Sequence, residues 1–158
     1  MKALIVFESA FGNTRRLAEA IADGLRSAGA EPHVIPACEA PGTATCDLLV
    51  LGAPTHFRGM PSPRSREQAV ARGASEVPRT GLREWLATAD LSSVPRVAIF
   101  QTAVDSRWAG SAARAVRRAV GRRGAERRSF IVSGKAPVLN DGEKESARAW
   151  GVALAGDR

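Results

Sequence analysis

Only two cysteines, Cys38 and Cys46, occur in 158 residues. Neither belongs to a CxxC pair or stands near a plausible set of metal ligands, which argues against a disulfide framework and against a zinc site. Both read as plain structural thiols. No apolar run approaches the roughly 18 residues that a membrane-spanning helix needs. The first apolar stretch covers only Ala3 to Phe7 before Glu8 interrupts it. That is too short for a signal-peptide core, so the expectation is a cytoplasmic protein with no membrane association. Also missing are a Ser-His-Asp set, a pair of catalytic carboxylates and a nucleophilic cysteine in a suggestive context, so no catalytic residue is assigned. Acidic residues are few, 16 against 23 basic ones, for a net charge of +7. Of the basic residues 20 are Arg and 3 are Lys. A field of this sign attracts nucleic acid, phosphate-bearing cofactors or acidic proteins without choosing among them.

The remaining composition, 44% hydrophobic and 25% charged, is that of one globular domain over residues 1–158, burying roughly 70% of its unfolded surface. Lys2 to Phe7 is short and apolar throughout, as in a strand buried on both faces. From Thr14 to about Gly29, Leu17, Ile21 and Leu25 recur every four residues opposite Arg15, Arg16, Glu19, Asp23 and Arg26, the pattern of an amphipathic helix. Further strands are expected at Pro32–Pro36, near an edge, at Asp47–Gly52, at Arg96–Phe100 and at Ser129–Val132. Helical patterns fill Gly81–Ala89, Ser111–Arg123 and Glu143–Leu154. Strands that are apolar throughout and separated by helices specify a doubly wound parallel sheet. The segment from Arg58 to Thr80, rich in Pro, Gly, Ser and Arg with a short helix from Ser65 to Arg72, exceeds the usual connection length, as functional loops do.

In such a sheet, ligands sit beyond the carboxyl ends of the strands, where the winding direction reverses. The decisive loops therefore follow strands one, three and four. After the first comes Glu8-Ser9-Ala10-Phe11-Gly12-Asn13-Thr14, running into a helix. Small and hydroxyl residues around a glycine at a helix start leave backbone N–H groups directed outward, and Ser9, Asn13 and Thr14 add side-chain donors, which together make a phosphate cradle. The loop has neither the lysine of a nucleotide-triphosphatase loop nor three glycines in dinucleotide-binding spacing.

Ser9 to Thr14 resembles the phosphate-binding signature of the flavodoxin family, and the positions of the other two loops extend the resemblance over nearly the whole chain. It implies an α/β three-layer sandwich, a five-stranded parallel sheet in the order 2-1-3-4-5 and FMN as cofactor. Phe11 stands where the family usually has Thr, which removes one hydroxyl donor and keeps the backbone N–H. The second loop, Gly52 to Gly59, is similar to the family's Gly-x-Pro-Thr segment. This implies that Pro54, Thr55, His56, Phe57, Arg58 and Gly59 lie by the flavin ring, although His56 also fits a plain surface loop. In the third loop, Thr102, Ala103 and Val104 are expected to meet the flavin edge through their backbone. Trp108 either covers the outer face of the ring or packs the start of the next helix, since the acidic, Tyr-containing loop of typical flavodoxins is replaced here.

The resemblance implies an electron-transfer protein in which the flavin supplies the chemistry. If Arg58, Arg64, Arg66 and Arg107 approach the ring, their charge raises its potential, and the carrier docks on an acidic redox partner. Two alternatives stay open: an NAD(P)H:quinone or nitro-compound reductase, and a flavin-free binding or regulatory module. Arg114, Arg117, Arg118, Arg122 and Arg123 lie along one helix without a recognised nucleic-acid motif and read as a solvated face, so no nucleic-acid partner is expected. The oligomeric state and the physiological electron donor and acceptor stay open.

Overall fold

Alternate residues of the apolar strands divide between two cores, and this division builds the three layers. In the computed structural model, which describes residues 1–106, 108, 110–121 and 125–156, β1 (Lys2–Phe7), β3 (Leu48–Pro54) and β4 (Arg96–Val104) form the sheet centre. Ile5, Phe7, Val50 and Phe100 point to one side and join Leu17, Ile21 and Leu25 of α1 (Asn13–Ser27) with Trp150 and Leu154 of α5 (Glu143–Gly156). Val6, Leu49, Leu51 and Ile99 point to the other, against Leu82 and Trp85 of α3 (Leu82–Thr88) and Val116 of α4 (Ala112–Val120). Each fully buried Leu or Ile contributes roughly 1.5 to 3 kcal/mol. Phe130 sits edge-on between Phe100 and Trp150, with ring centroids 6.4 and 6.3 Å away.

The sheet has six strands in the order β2-β1-β3-β4-β5-β6. β2 (Glu31–Pro36) is the edge strand expected from its weak pattern. β5 (Glu126–Ser133) runs parallel to β4, and β6 (Val138–Leu139) is an antiparallel addition to the five strands expected. β6 covers only Val132 and Ser133, so among the described residues the outer edge of β5 from Glu126 to Phe130 has no strand beside it.

α1 and α5 meet backbone to backbone. A Cβ on Gly151 would stand 2.2 Å from the Ile21 carbonyl oxygen, and one on Gly24 would stand 2.0 Å from that of Arg148. No helix among the described residues is long and apolar enough to cross a membrane.

The long connection after β3 contains α2 (Pro63–Ala71), close to the short helix expected there. Ser62 caps it by accepting from Ser65 N at 3.3 Å, while Ser65 Oγ accepts from Ser62 N at 2.8 Å. Its buried Arg66 holds Glu8 (Nε to Oε1 2.6 Å) and Glu84 on α3 (Nη2 to Oε2 2.7 Å). Leu82 N also donates to Glu8 at 2.9 Å. One guanidinium thus joins the end of β1, the long connection and α3.

Candidate functional site

All four loops that follow β1, β3, β4 and β5 emerge at the same edge of a parallel sheet, and they enclose a cleft of about 710 Å³. That is a ligand-sized volume. The loop after β1 turns at Gly12, whose φ of +84° is left-handed backbone that other residues rarely adopt. The turn directs the amides of Asn13, Thr14 and Arg15 outward ahead of the first intrahelical bond, from Arg16 N to the Gly12 carbonyl at 3.1 Å. Ser9 Oγ accepts from Gly12 N at 3.1 Å, which leaves its own O–H free to donate. Partial positive charge at the helix start and outward donors suit an anion.

Eleven of the expected site residues line the cleft: Ser9, Ala10, Phe11, Asn13 and Thr14 from the first loop, Pro54, Thr55 and His56 from the second, and Thr102, Ala103 and Val104 from the third. Thr55 N donates to the Thr102 carbonyl at 2.9 Å and ties the second loop to the third. Gln101, buried beneath them, accepts from Ala113 N and Ser111 Oγ and donates to Ser129 Oγ, at 2.8, 2.9 and 2.8 Å. It fixes β4, β5 and the start of α4 to one another, a role that a polar residue inside an apolar strand can signal.

Five expected residues lie elsewhere. Gly12 acts through its backbone turn rather than by lining the cleft. His56 and Gly59 exchange backbone hydrogen bonds of 2.9 and 2.8 Å around a tight turn whose tip is Phe57 and Arg58, with φ of +43° and +68°. Phe57 faces a smaller side pocket of about 240 Å³ that shares Phe11, Thr55, His56 and Arg72 with the cleft. Arg58 is held by Ser111 N, which donates to its carbonyl at 3.1 Å. Trp108 is 73% exposed and does not line the cleft. Arg107, Ala109, Arg122 and Arg123 fall outside the described residues.

His56 is neutral. Burial pushes its pKa down, Glu8 opposes, and Arg66 and Arg72 add to the lowering. Ser65 Oγ donates to the Ser62 carbonyl at 3.1 Å, so toward His56 Nδ1, also 3.1 Å away, it accepts. With Ser65 donating to Ser62, the imidazole proton sits on Nδ1 and Nε2 is an acceptor.

Arg66 and Asn13 depart from their expected roles. Arg66 is neutralised by Glu8 and Glu84 and offers no free charge to the cleft. The Asn13 amide is engaged, with Nδ2 donating to the Pro137 carbonyl at 2.7 Å and Oδ1 accepting from Arg16 Nη1 at 3.3 Å. Among the described residues, the cations that line the cleft are Arg72, at the end of α2, and Lys135, in the turn between β5 and β6. That turn adds Gly134, Ala136 and Pro137 to the wall, and Val132 precedes it. Sequence reasoning missed these residues by stopping at the loop after the fourth strand.

The model of a family described as Flavodoxin matches residues 5–150. No curated protein gives a significant match. Among solved structures, oxidised flavodoxin 1 from Bacillus cereus superposes with a TM-score of 0.70 at 21% identity, covering 100% of this chain and 99% of that one. An archaeal flavodoxin gives 0.66 at 20% identity, covering 99% and 97%. A flavodiiron core from Synechocystis gives 0.62 at 19% identity, covering 99% of this chain and 35% of the other. These likenesses show the α/β flavodoxin-like fold.

Proposed function

The chain belongs to the flavodoxin family, and on that premise we propose that the cleft binds FMN and that the protein carries electrons between redox partners. The observation that carries the reading is the joining, in one cleft, of an outward-facing donor set at the start of α1 to apolar walls from Phe11, Pro54, Ala103 and Val104. Such a cleft suits a molecule with an anionic end and a flat apolar end, as FMN has. Bound FMN supplies the electron-transfer chemistry.

The chain supplies binding and orientation. Ser9 Oγ, the Thr14 hydroxyl and the first α1 amides face the phosphate. Phe11, Pro54, Ala103 and Val104 exclude water from the ring, and the Thr55–Thr102 bond keeps the two ring-side loops at a fixed separation. Neutral His56 offers Nε2 as an acceptor on the same wall. Exposed Phe57 and Trp108, with Arg58, give a partner an apolar and basic surface beside the cleft.

The absorbance spectrum of purified protein, recorded with and without added FMN, FAD or riboflavin, tests this. Flavin bands near ~370 and ~450 nm retained through desalting with FMN alone support it, because the cofactor carries the colour and the protein only tunes it. A protein that stays colourless under every condition overturns it and favours a flavin-free module.

The side pocket favours one second reading, a reductase of quinones or nitro compounds. Ser65 and Ala69 of α2 wall off about 240 Å³ against residues that also line the cleft, room for a small acceptor. Steady oxidation of NADPH by a quinone, with no added reductase, is the result expected of that reading and not of a simple carrier.

A further inference from the structure

We propose that Lys135, in the turn between β5 and β6, is the cation that neutralises the phosphate bound in this cleft. The inference rests on the reading of the cleft as a flavin-phosphate site and adds to it a residue from outside the first loop. Lys135 lines the cleft together with Ser9, Asn13 and Thr14. Its turn is pinned at both ends. Val132 and Ser133 pair with Leu139 and Val138 on one side, and the Asn13 Nδ2 bond to the Pro137 carbonyl, 2.7 Å, fixes the other to the first residue of α1. The lysine stem therefore rises two residues from a point anchored on the helix start whose amides face the cleft.

Lys135 adds a full charge to a cradle of neutral donors. Phe11 supplies no hydroxyl, and the Asn13 amide is engaged by Pro137 and Arg16. What remains of the first loop on the cleft wall is Ser9, Thr14 and backbone N–H groups, which solvate a phosphate without cancelling its charge. Arg16 is turned to Asn13 Oδ1, and Arg72, the other cation on the wall among the described residues, also lines the side pocket with His56 and Phe57, toward the second loop. Arg15, in the first turn of α1, is paired with Glu76 at 3.0 Å, and Arg66 with Glu8 and Glu84. A primary amine on a flexible stem pairs with a phosphate as a point charge, tolerating small differences in ligand position. Because Lys135 is exposed, its contribution is modest and is screened by salt.

Flavin-stripped protein is titrated with FMN and with riboflavin, by quenching of flavin fluorescence, at low and high KCl. Lys135→Ala is expected to weaken FMN binding about five- to tenfold at low salt, as loss of one charge-assisted hydrogen bond does. Riboflavin binding is expected to be unchanged, the salt dependence of FMN binding to flatten, and Lys135→Arg to recover most of the loss. Lys144→Ala removes the same charge from α5, away from the cleft, and is expected to change nothing.

Equal FMN affinities for the wild type and Lys135→Ala overturn the proposal, as does an equal loss for FMN and riboflavin, which would place Lys135 on the ring or the fold. Thermal stabilisation by inorganic phosphate separates the two readings. Lys135-dependent stabilisation by phosphate without any flavin binding supports this proposal and overturns the FMN reading. Absence of both overturns both.

Discussion

Arg66 ties three parts of the chain together. Its guanidinium is shared by Glu8 and Glu84 and is 5% exposed. Removing it leaves the buried Glu8 carboxylate without its cation and close to that of the partly exposed Glu84. Arg66→Ala is therefore expected to cost about 3 to 5 kcal/mol, read in a thermal melt as a Tm lowered by roughly 10 °C or more. Reading along the chain placed Arg66 among the charges near a flavin ring, because its partners stand 58 and 18 residues away and no local pattern joins them. The same cluster sets an acid limit. Burial alone would raise the Glu84 pKa, but the Arg66 hydrogen bond and the Gly81 amide outweigh it and hold the carboxyl at about 2, against 4.5 when free. Its contribution to stability is complete above 4.5 and is lost as pH falls toward 2. His56 acts at higher pH. Its lowered pKa makes its contribution complete above 6.5 and progressively lost below. Urea melts from pH 7.5 down to 3 are expected to show two stages of weakening, with His56→Gln flattening the upper one and Glu84→Gln the lower. Gly12 is a different case, legible from sequence as a loop glycine before a helix. Gly12→Ala places a Cβ on left-handed backbone at a cost of about 1 to 2 kcal/mol, and FMN titration is expected to show weaker binding as the cradle amides turn away.

Elements declared themselves in the sequence to the extent that their burial came from apolar side chains. β1 and β3 are apolar on both faces, and their positions were readable almost to the residue. β4 continues to Val104, four residues beyond its apolar run, because Gln101 and Thr102 are buried by hydrogen bonding rather than by hydrophobicity. β5 begins three residues before its apolar run, since Glu126, Arg127 and Arg128 pair with β4 through their backbones while the two arginine side chains stay in water and Glu126 Oε1 accepts from Trp150 Nε1. β6 is two residues long and carried no periodic signal. The contact between α1 and α5 was legible only as two glycines among helix formers. Gly151→Ala improves helix propensity by up to about 1 kcal/mol yet drives a methyl group against the Ile21 carbonyl oxygen, so overpacking is expected to win with a net loss of about 1 to 2 kcal/mol. A melt showing stabilisation would mean that the two helices part without cost.

For the whole molecule, the +7 net charge and the cleft cations point to one electrical consequence. Of the arginines expected near the ring, Arg66 is neutralised and Arg58 and Arg64 do not line the cleft, whereas Arg72 and Lys135 do. Positive charge beside a flavin favours its reduced, more negative state, so Arg72→Ala is expected to lower the potential in a redox titration by roughly 20 to 40 mV, the worth of one partly screened charge. Association with an acidic partner is expected to slow steeply as KCl rises.

The uncovered edge of β5 has a consequence of another kind. A strand edge with no neighbour among the described residues is a template on which a second chain can continue the sheet, and aggregation begins at such edges. Arg127 and Arg128, exposed and adjacent along that strand, make any two copies repel when they approach edge to edge. Their charges act as guards against self-assembly whatever the cleft binds. The fold keeps this margin apart by repulsion instead of covering it with a further strand.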